Sequence, residues 1–472
     1  MVMACRGLVR TAAILLLCTV AATGPRAASA RPSGTLDWEA RRNRVDARIE
    51  SWSLPALLAA IESASGWQVY VEPGTELEVT ARFEGLSQAD ALRRLLGRLN
   101  FALLPQVDGP AKLFVFRTSA EGATERVRAA ATGGSPGRAD TPIRGERIVV
   151  LAPGSDADDL ARRLDATIVA RLAQLRAYRL AFGSEGRARS ADSALAHDPA
   201  VESVEANLAF APPEILEPLA AAAQPSFALR PDMSSSTDRV VVGLIDTAVQ
   251  EQGARLADFL QPAVSVVGDY RAPDGPLTHG TAMAATIVDG VARGLLEAGD
   301  TSGTAPLSIL PVDVYGASET TNTFDLARGI YEALDRHVNV VNLSLTTDGD
   351  SQLVRTLIDD AAKRGVLVFG AAGNDGGTTR VYPAGDRGVV SVTAADARGG
   401  VASWANSGSW VDAMAPGENV ISYQDQAWYG TGTSFATSLV SGWAAGAMAG
   451  TRRSPTQVER ETLARWGVAQ DR

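Results

Sequence analysis

Cysteine is almost missing from this chain. Its two copies, Cys5 and Cys18, fall within the first thirty of 472 residues, so the remainder has no disulfide and no thiol chemistry open to it. Histidine is also scarce, and His197, His279 and His337 are the three candidates for any imidazole base. Cationic charge is the minority sign, with 44 Lys and Arg against 54 Asp and Glu and a formal net charge of −10, which argues against a nucleic-acid surface. Long apolar runs are lacking beyond the amino terminus, so no membrane-spanning helix is expected there. With 46% hydrophobic residues, packed cores are still available throughout, and the length suggests about three domains.

Residues 1–30 carry Arg6 and Arg10, then the apolar run TAAILLLCTVAA, then AASA ending at Ala30. That order reads as a secretory signal peptide cleaved between Ala30 and Arg31. Cys18 could suggest a lipoprotein signal, but Leu17 stands where a small residue is wanted and weighs against it. The expectation is export to the periplasm, with secretion or outer-membrane association as variants.

The chemistry concentrates near the carboxyl end, in GTSFATS from Gly432 to Ser438, followed by a small-residue run that reads as a buried helix. Ser434 is the candidate nucleophile. A serine hydroxyl needs a base, a group that orients the base, and donors for the oxyanion. His197 in AHDPA and His337 in LDRHVNV read as surface or cap residues, whereas His279 in THGTAMAATIV opens a helical run that would fix its backbone. Asp246 closes the apolar strand VVVGLID and supplies an orienting carboxylate; Asn374 ends VLVFGAAGN and could aim an amide at the oxyanion.

Asp246, His279 and Ser434 stand in the chain order of subtilisin rather than of chymotrypsin. From about residue 238 to the end, the sequence resembles the subtilisin-like serine proteases, or subtilases, whose aspartate turn, HGT, AAGN and GTS motifs recur in order over about 190 residues. NLSL, YPAGDRGVVSVTA and ANSGSWVDAMAPGENVIS add to the likeness. The resemblance implies a catalytic triad of Asp246, His279 and Ser434, an oxyanion donor at Asn374, and a substrate edge at Ser344, Leu345 and Thr346 with Gly373 allowing close backbone approach. Departures are Ala248 and Ala285 for glycine, Ala282 for histidine, Ser438 for proline, and Thr346 and Thr347 in the substrate edge, where their side chains could narrow the cleft. No cofactor and no metal chemistry is required; the calcium sites frequent in that family depend on loops that find no match in this sequence, and calcium binding stays open.

Alternating apolar strands and amphipathic helices from residue 238 onward predict an α/β fold, a mostly parallel sheet with helices on both faces. Two small α+β modules precede it. Residues 31–118 alternate helical spacing, Leu54, Leu57, Leu58 and Ile61, then Ala91, Leu92, Leu95 and Leu96, with strand signals, predicting two helices on one small sheet. They resemble the short amino-terminal domain of secretins and TonB-dependent transducers, which implies a cell-envelope protein partner. Residues 119–145 read as a flexible linker. Residues 146–212 show the order strand, helix, strand, strand, helix, strand, and with DPAVESVEAN resemble a subtilase propeptide, implying that the chain's own propeptide is its inhibitor. Residues 213–237 lack periodicity, and processing is expected between Phe210 and Asp238. The implied function is an exported serine endopeptidase made as a self-inhibited precursor, with protein or peptide substrates. The alternative is a degenerate protease domain serving as a binding or signalling scaffold.

Overall fold

The computed structural model describes residues 33–39, 44–72, 75, 77–97, 99–104, 112–117, 125–127, 142–210, 216–222, 229–232, 239–251, 256–318, 320–396, 398–424, 426–451 and 453–468. Residues 1–30, read as a signal peptide, most of residues 119–145, read as a linker, and both cysteines lie outside them. The chain divides into two compact units, 1–136 and 137–472.

In the first unit the order is β1 (Ser33–Glu39), β2 (Arg44–Ser53), α1 (Leu54–Ser65), β3 (Gln68–Val71), β4 (Glu78–Leu86), α2 (Gln88–Leu96), β5 (Asn100–Leu104), β6 (Lys112–Phe116) and β7 (Glu125–Val127). Pro55 at its start suits α1, and Gly66 ends it at φ 71°, donating back to the Glu62 carbonyl. Both helices form where the leucine spacing places them, and Leu57, Leu58, Ile61, Leu92, Leu95 and Leu96 share one core with Val45, Val69 and Val115. The single sheet expected here is two: antiparallel β1-β2-β4 and mixed β5-β6-β3-β7. Strand signals locate strands but not their partners, because pairing is decided between segments distant in the chain.

The second unit opens with β8 (Pro142–Leu151), α3 (Ala157–Arg163), β9 (Thr167–Leu172), β10 (Ala177–Ala181), α4 (Glu185–His197) and β11 (Val201–Phe210), in the predicted order. Two strands, β12 (Glu217–Ala222) and β13 (Arg230–Pro231), follow where no periodicity had suggested any. Then come β14 (Val240–Asp246), β15 (Val264–Ser265), α5 (His279–Glu297), β16 (Thr304–Ala305), β17 (Leu307–Asp313), β18 (Thr321–Asn322), α6 (Thr323–Asp335), β19 (Val340–Leu343), α7 (Gln352–Lys363), β20 (Leu367–Ala371), β21 (Val389–Ala395), β22 (Ala413–Pro416), β23 (Glu418–Tyr423), β24 (Gln426–Thr431), α8 (Thr433–Thr451) and α9 (Pro455–Trp466).

Seven strands in the order β15-β17-β14-β19-β20-β21-β22 form one sheet, every described pairing parallel. Their near-continuous burial follows from cover on both faces. One core packs α5, α8 and α9 against the sheet; the other packs α6 and α7 and takes in Ile148, Leu172, Ala177 and Phe210 from the first small module of this unit. The strand order reverses at β14, between β17 and β19, which opens a crevice at the carboxyl ends of the strands.

Candidate functional site

Asp246 is the last residue of β14 and His279 the first of α5, so sheet and helix meet at this pair. His279 Nδ1–H donates to the carboxylate, at 2.8 Å to Oδ1 and 3.0 Å to Oδ2, and both residues are nearly fully buried. The Thr247 N–H donates to Asp246 Oδ1 at 2.7 Å, and the Thr247 hydroxyl accepts from the Gly280 N–H at 2.8 Å, tying the strand end to the helix start. A Cβ at Gly280 would strike the Thr247 carbonyl, so the glycine of HGT is a packing requirement. Thr278 caps the helix by accepting from the Thr281 N–H at 3.3 Å, while its hydroxyl donates to the Ala248 carbonyl at 2.8 Å. Ala248, the departure after Asp246, is buried here without disturbing that arrangement.

Ser434 is the second residue of α8 and is 2% exposed. Its position relative to His279 is set by helix packing. α5 and α8 run in the same direction, with Gly290 against Leu439 and Trp443, Gly294 against Trp443 and Ala447, Gly442 against Ile287 and Gly446 against Val291. These four glycines let the two backbones touch, where any Cβ would collide. At the amino-terminal end of this seam the Ser438 hydroxyl donates to Met283 Sδ at 3.1 Å. One helical turn earlier on each helix stand Ser434 and His279, on the faces turned toward each other. Ser438, where the family has proline, thus has a buried partner in the helix seam.

Asn374 stands on the loop after β20, next to Gly373, whose φ is +94°. Its Oδ1 accepts from the Thr433 N–H at 2.9 Å and the Thr433 hydroxyl at 3.0 Å. With the oxygen held there, Nδ2 is the donor end directed away from Thr433. The Gly373 N–H donates to Thr433 Oγ1 at 3.1 Å, and a side chain at Gly373 would meet Asn406. Asn406, buried, accepts on Oδ1 from the N–H groups of Asp375 and Gly377 and so holds the loop. The Ser434 N–H belongs to the first turn of α8, ahead of the intrahelical ladder, and the positive ends of α5 and α8 both face this place.

The proposed substrate edge is less uniform than its sequence suggested. Ser344 turns its hydroxyl inward, accepting from Asn342 Nδ2 at 3.0 Å and donating to the Ser434 carbonyl at 3.3 Å, while Leu345 packs in the core on the α6 and α7 face. Thr347 exchanges backbone hydrogen bonds with Tyr382 and is 4% exposed, and Thr346 is half-buried beside it. His197 ends α4 on the surface, and His337 is exposed after α6 at φ 56°. The Ser441 hydroxyl donates to Asn342 Oδ1 at 2.9 Å. Thr433, Asn406, Asn342 and Ser441 were missed by sequence reasoning; the spacing Thr433–Ser434, the ANSG run and the NLSL run held a signal for the first three only. Among the described residues no group of three His, Cys, Asp or Glu is arranged to hold a metal.

The small module grips the same domain by its helix ends. The Ser351 hydroxyl donates to Glu205 Oε1 at 2.6 Å and the Gln352 N–H to Oε2 at 2.7 Å, so Glu205 sits at the start of α7. The Phe324 N–H donates to Asn207 Oδ1 at 3.1 Å at the start of α6. Burial raises the Glu205 pKa, against the opposing pull of Ser351 and the α7 amides. β11 then pairs with β18 through Ala209 and Phe210. Elsewhere Asp386 is pushed up to about 7 by burial, with the charge of Asp350 adding and Arg355 and Arg380 opposing.

The profile of the Subtilase family matches residues 237–465, and that of the Fervidolysin N-terminal prodomain matches 135–207. Thermitase of Thermoactinomyces vulgaris is 33% identical over 223 residues, 46% of this chain and 77% of that protein. Subtilisin Savinase of Lederbergia lenta is 36% identical over 183 residues, 38% of this chain and 66% of that protein. The Thermophilic serine proteinase of Bacillus sp. (strain AK1) is 30% identical over 216 residues, 45% of this chain and 53% of that protein. The chain thus spans about half to two thirds of the length of the first curated relatives it matches. Among solved structures, the Epidermin Leader Peptide Processing Serine Protease of Staphylococcus aureus shares the fold at TM-score 0.53 and 15% identity, over 67% of this chain and 92% of that one. The prodomain match lies over the module that holds the starts of α6 and α7, and the thermitase match reaches over three quarters of that enzyme: the chain belongs to the subtilase family.

Proposed function

We propose that this chain is an exported serine endopeptidase made as a self-inhibited precursor. The observation that carries the reading is the buried Asp246–His279 pair at the start of α5, set by the glycine seam beside the start of α8, where Ser434 stands. In the proposed reaction Asp246 holds His279 in the tautomer with its proton on Nδ1 and stabilises the imidazolium. His279 takes the Ser434 proton as Oγ attacks a peptide carbonyl, then gives it to the leaving amine. Asn374 Nδ2 and the Ser434 N–H hold the oxyanion, and water releases the acyl group. Substrate backbone runs along Ser344, Leu345 and Thr346, with Gly373 leaving room, a mode that tolerates varied side chains.

Residues 146–212 serve as inhibitor and folding partner, supported by the Glu205 and Asn207 caps on α7 and α6. Residues 1–30 direct export, and among the described residues no helix is long and apolar enough to cross a membrane. Residues 31–118 form the interaction module for a cell-envelope protein. The test compares the full precursor with Ser434→Ala, by mass spectrometry and with a fluorophosphonate probe. Self-cleavage and labelling at Ser434 in the parent alone are the expected result. A parent that remains whole and unlabelled after limited proteolysis of 146–212 would overturn the reading.

A further inference from the structure

β12 occupies a place that the lack of periodicity between residues 213 and 237 did not suggest. It pairs antiparallel with β24, Glu217 opposite Tyr429, Pro218 opposite Trp428 and Leu219 opposite Ala427, while β23 takes the other edge of β24. β24 runs directly into Gly432, Thr433 and Ser434. An antiparallel partner therefore runs away from the nucleophile as its residue numbers rise, and its amino-terminal end is the end nearest Ser434. Leu216, just before the strand, is buried in the core shared by α5 and α8, and Gly430 makes room for it, since a Cβ there would meet both Leu216 and Phe435.

The chain arrives from the other side. Phe210, the last residue of β11, pairs with Thr321 of β18 and is buried in the core of the α6 and α7 face. Leu208 also packs where Gly349 has no side chain. Phe210 and Leu216, the two anchors, thus lie in the two cores on opposite faces of the central sheet, Phe210 beside the start of α6 and Leu216 beside the start of α8. Six residue steps span at most on the order of 20 Å, the reach of a short extended peptide.

We propose that β12 is the leaving-group half of the protein's own first substrate, and that after the cut it stays on β24 as an inhibitory strand. This rests on the protease reading. Ser434 Oγ bonds to a carbonyl carbon of a residue lying between the two anchors, the C–N bond breaks, and the Ser434 proton passes through His279 to the new amine. Water then cleaves the ester and leaves a carboxylate on the prodomain. The new amino terminus leads into Leu216 and β12, which still covers the edge of β24. A later substrate extending several residues beyond its leaving group must displace that strand; one with a small leaving group need not.

The experiment uses the processed protein and its Leu219→Pro variant, which removes one backbone N–H from β12. Two probes are compared, a peptidyl p-nitroanilide and an internally quenched peptide with six residues beyond the cleaved bond. The new amino terminus is expected between residues 211 and 216, and Leu219→Pro is expected to raise kcat/KM for the quenched peptide at least tenfold with less than a twofold change for the anilide. A first cut after Ala222, or equal responses of both probes, would overturn the proposal. Hydrolysis of neither probe, with no labelling of Ser434, would instead remove the protease reading. The docked strand is then still tested by hydrogen exchange in the full-length Ser434→Ala precursor: faster exchange over residues 426–431 on adding Leu219→Pro is expected, and unchanged exchange refutes the docking.

Discussion

Gly442→Ala probes the helix seam that sets Ser434 beside His279, the pair proposed as nucleophile and base. A methyl built at residue 442 would lie 2.2 Å from the Ile287 carbonyl oxygen, whereas real Cβ contacts essentially never fall below 3.0 Å. The obstacle is backbone and cannot rotate aside, so α5 and α8 must part locally by about 0.8 Å. Residue 442 stands about 12 Å along α8 from Ser434, at 1.5 Å per residue, so the shift reaches the site through a rigid helix. A misplacement near 1 Å costs about 10²-fold in rate. Overpacking costs about 1–3 kcal/mol, offset by up to about 1 kcal/mol of better helix propensity. The rate of precursor self-cleavage and the urea midpoint are the assays, with Gly186→Ala on α4, where nothing lies within 4 Å, as the control that should hold or gain stability at parental rate. Should Gly442→Ala behave like Gly186→Ala, the close seam does not position the catalytic pair.

Asn374→Leu is expected to slow the acylation step with little change in KM, read in single-turnover kinetics; the 10²–10³-fold range is borrowed from the same kind of donor in subtilisin, a member of this family. Asp246→Asn should lower kcat by about 10⁴-fold at preserved fold, because an amide that donates toward Nδ1 selects the wrong imidazole tautomer; near-parental kcat would remove Asp246 from its role. Asp386, raised from 3.8 to about 7, is harder to ionise folded than unfolded. Its cost to stability is absent below about pH 4, grows as pH rises, and is complete above about pH 7, on the order of 4 kcal/mol at most. Asp386→Asn should therefore gain on the parent across that window in denaturant titrations, and parallel stability curves would show that the carboxyl ionises normally.

The sequence by itself determined which residues could react and which local element each would occupy. A buried strand ending in Asp246, a helix opening at His279 and a small-residue helix with Ser434 in its first turn are all written in runs of a dozen residues, where periodicity and caps act. The prodomain order was legible for the same reason. Only the tertiary structure decided what depends on segments far apart in the chain. The parallel register of α5 on α8 comes from Gly290, Gly294, Gly442 and Gly446, each unremarkable until the two helices touch. The direction of the Asn374 amide is set by Thr433, 59 residues away. Thr347 pairs its backbone with Tyr382, a contact that no local run announces. β12 carries no alternation to announce it, and becomes a strand because β24 offers an unpaired edge, a property of the partner rather than of the segment.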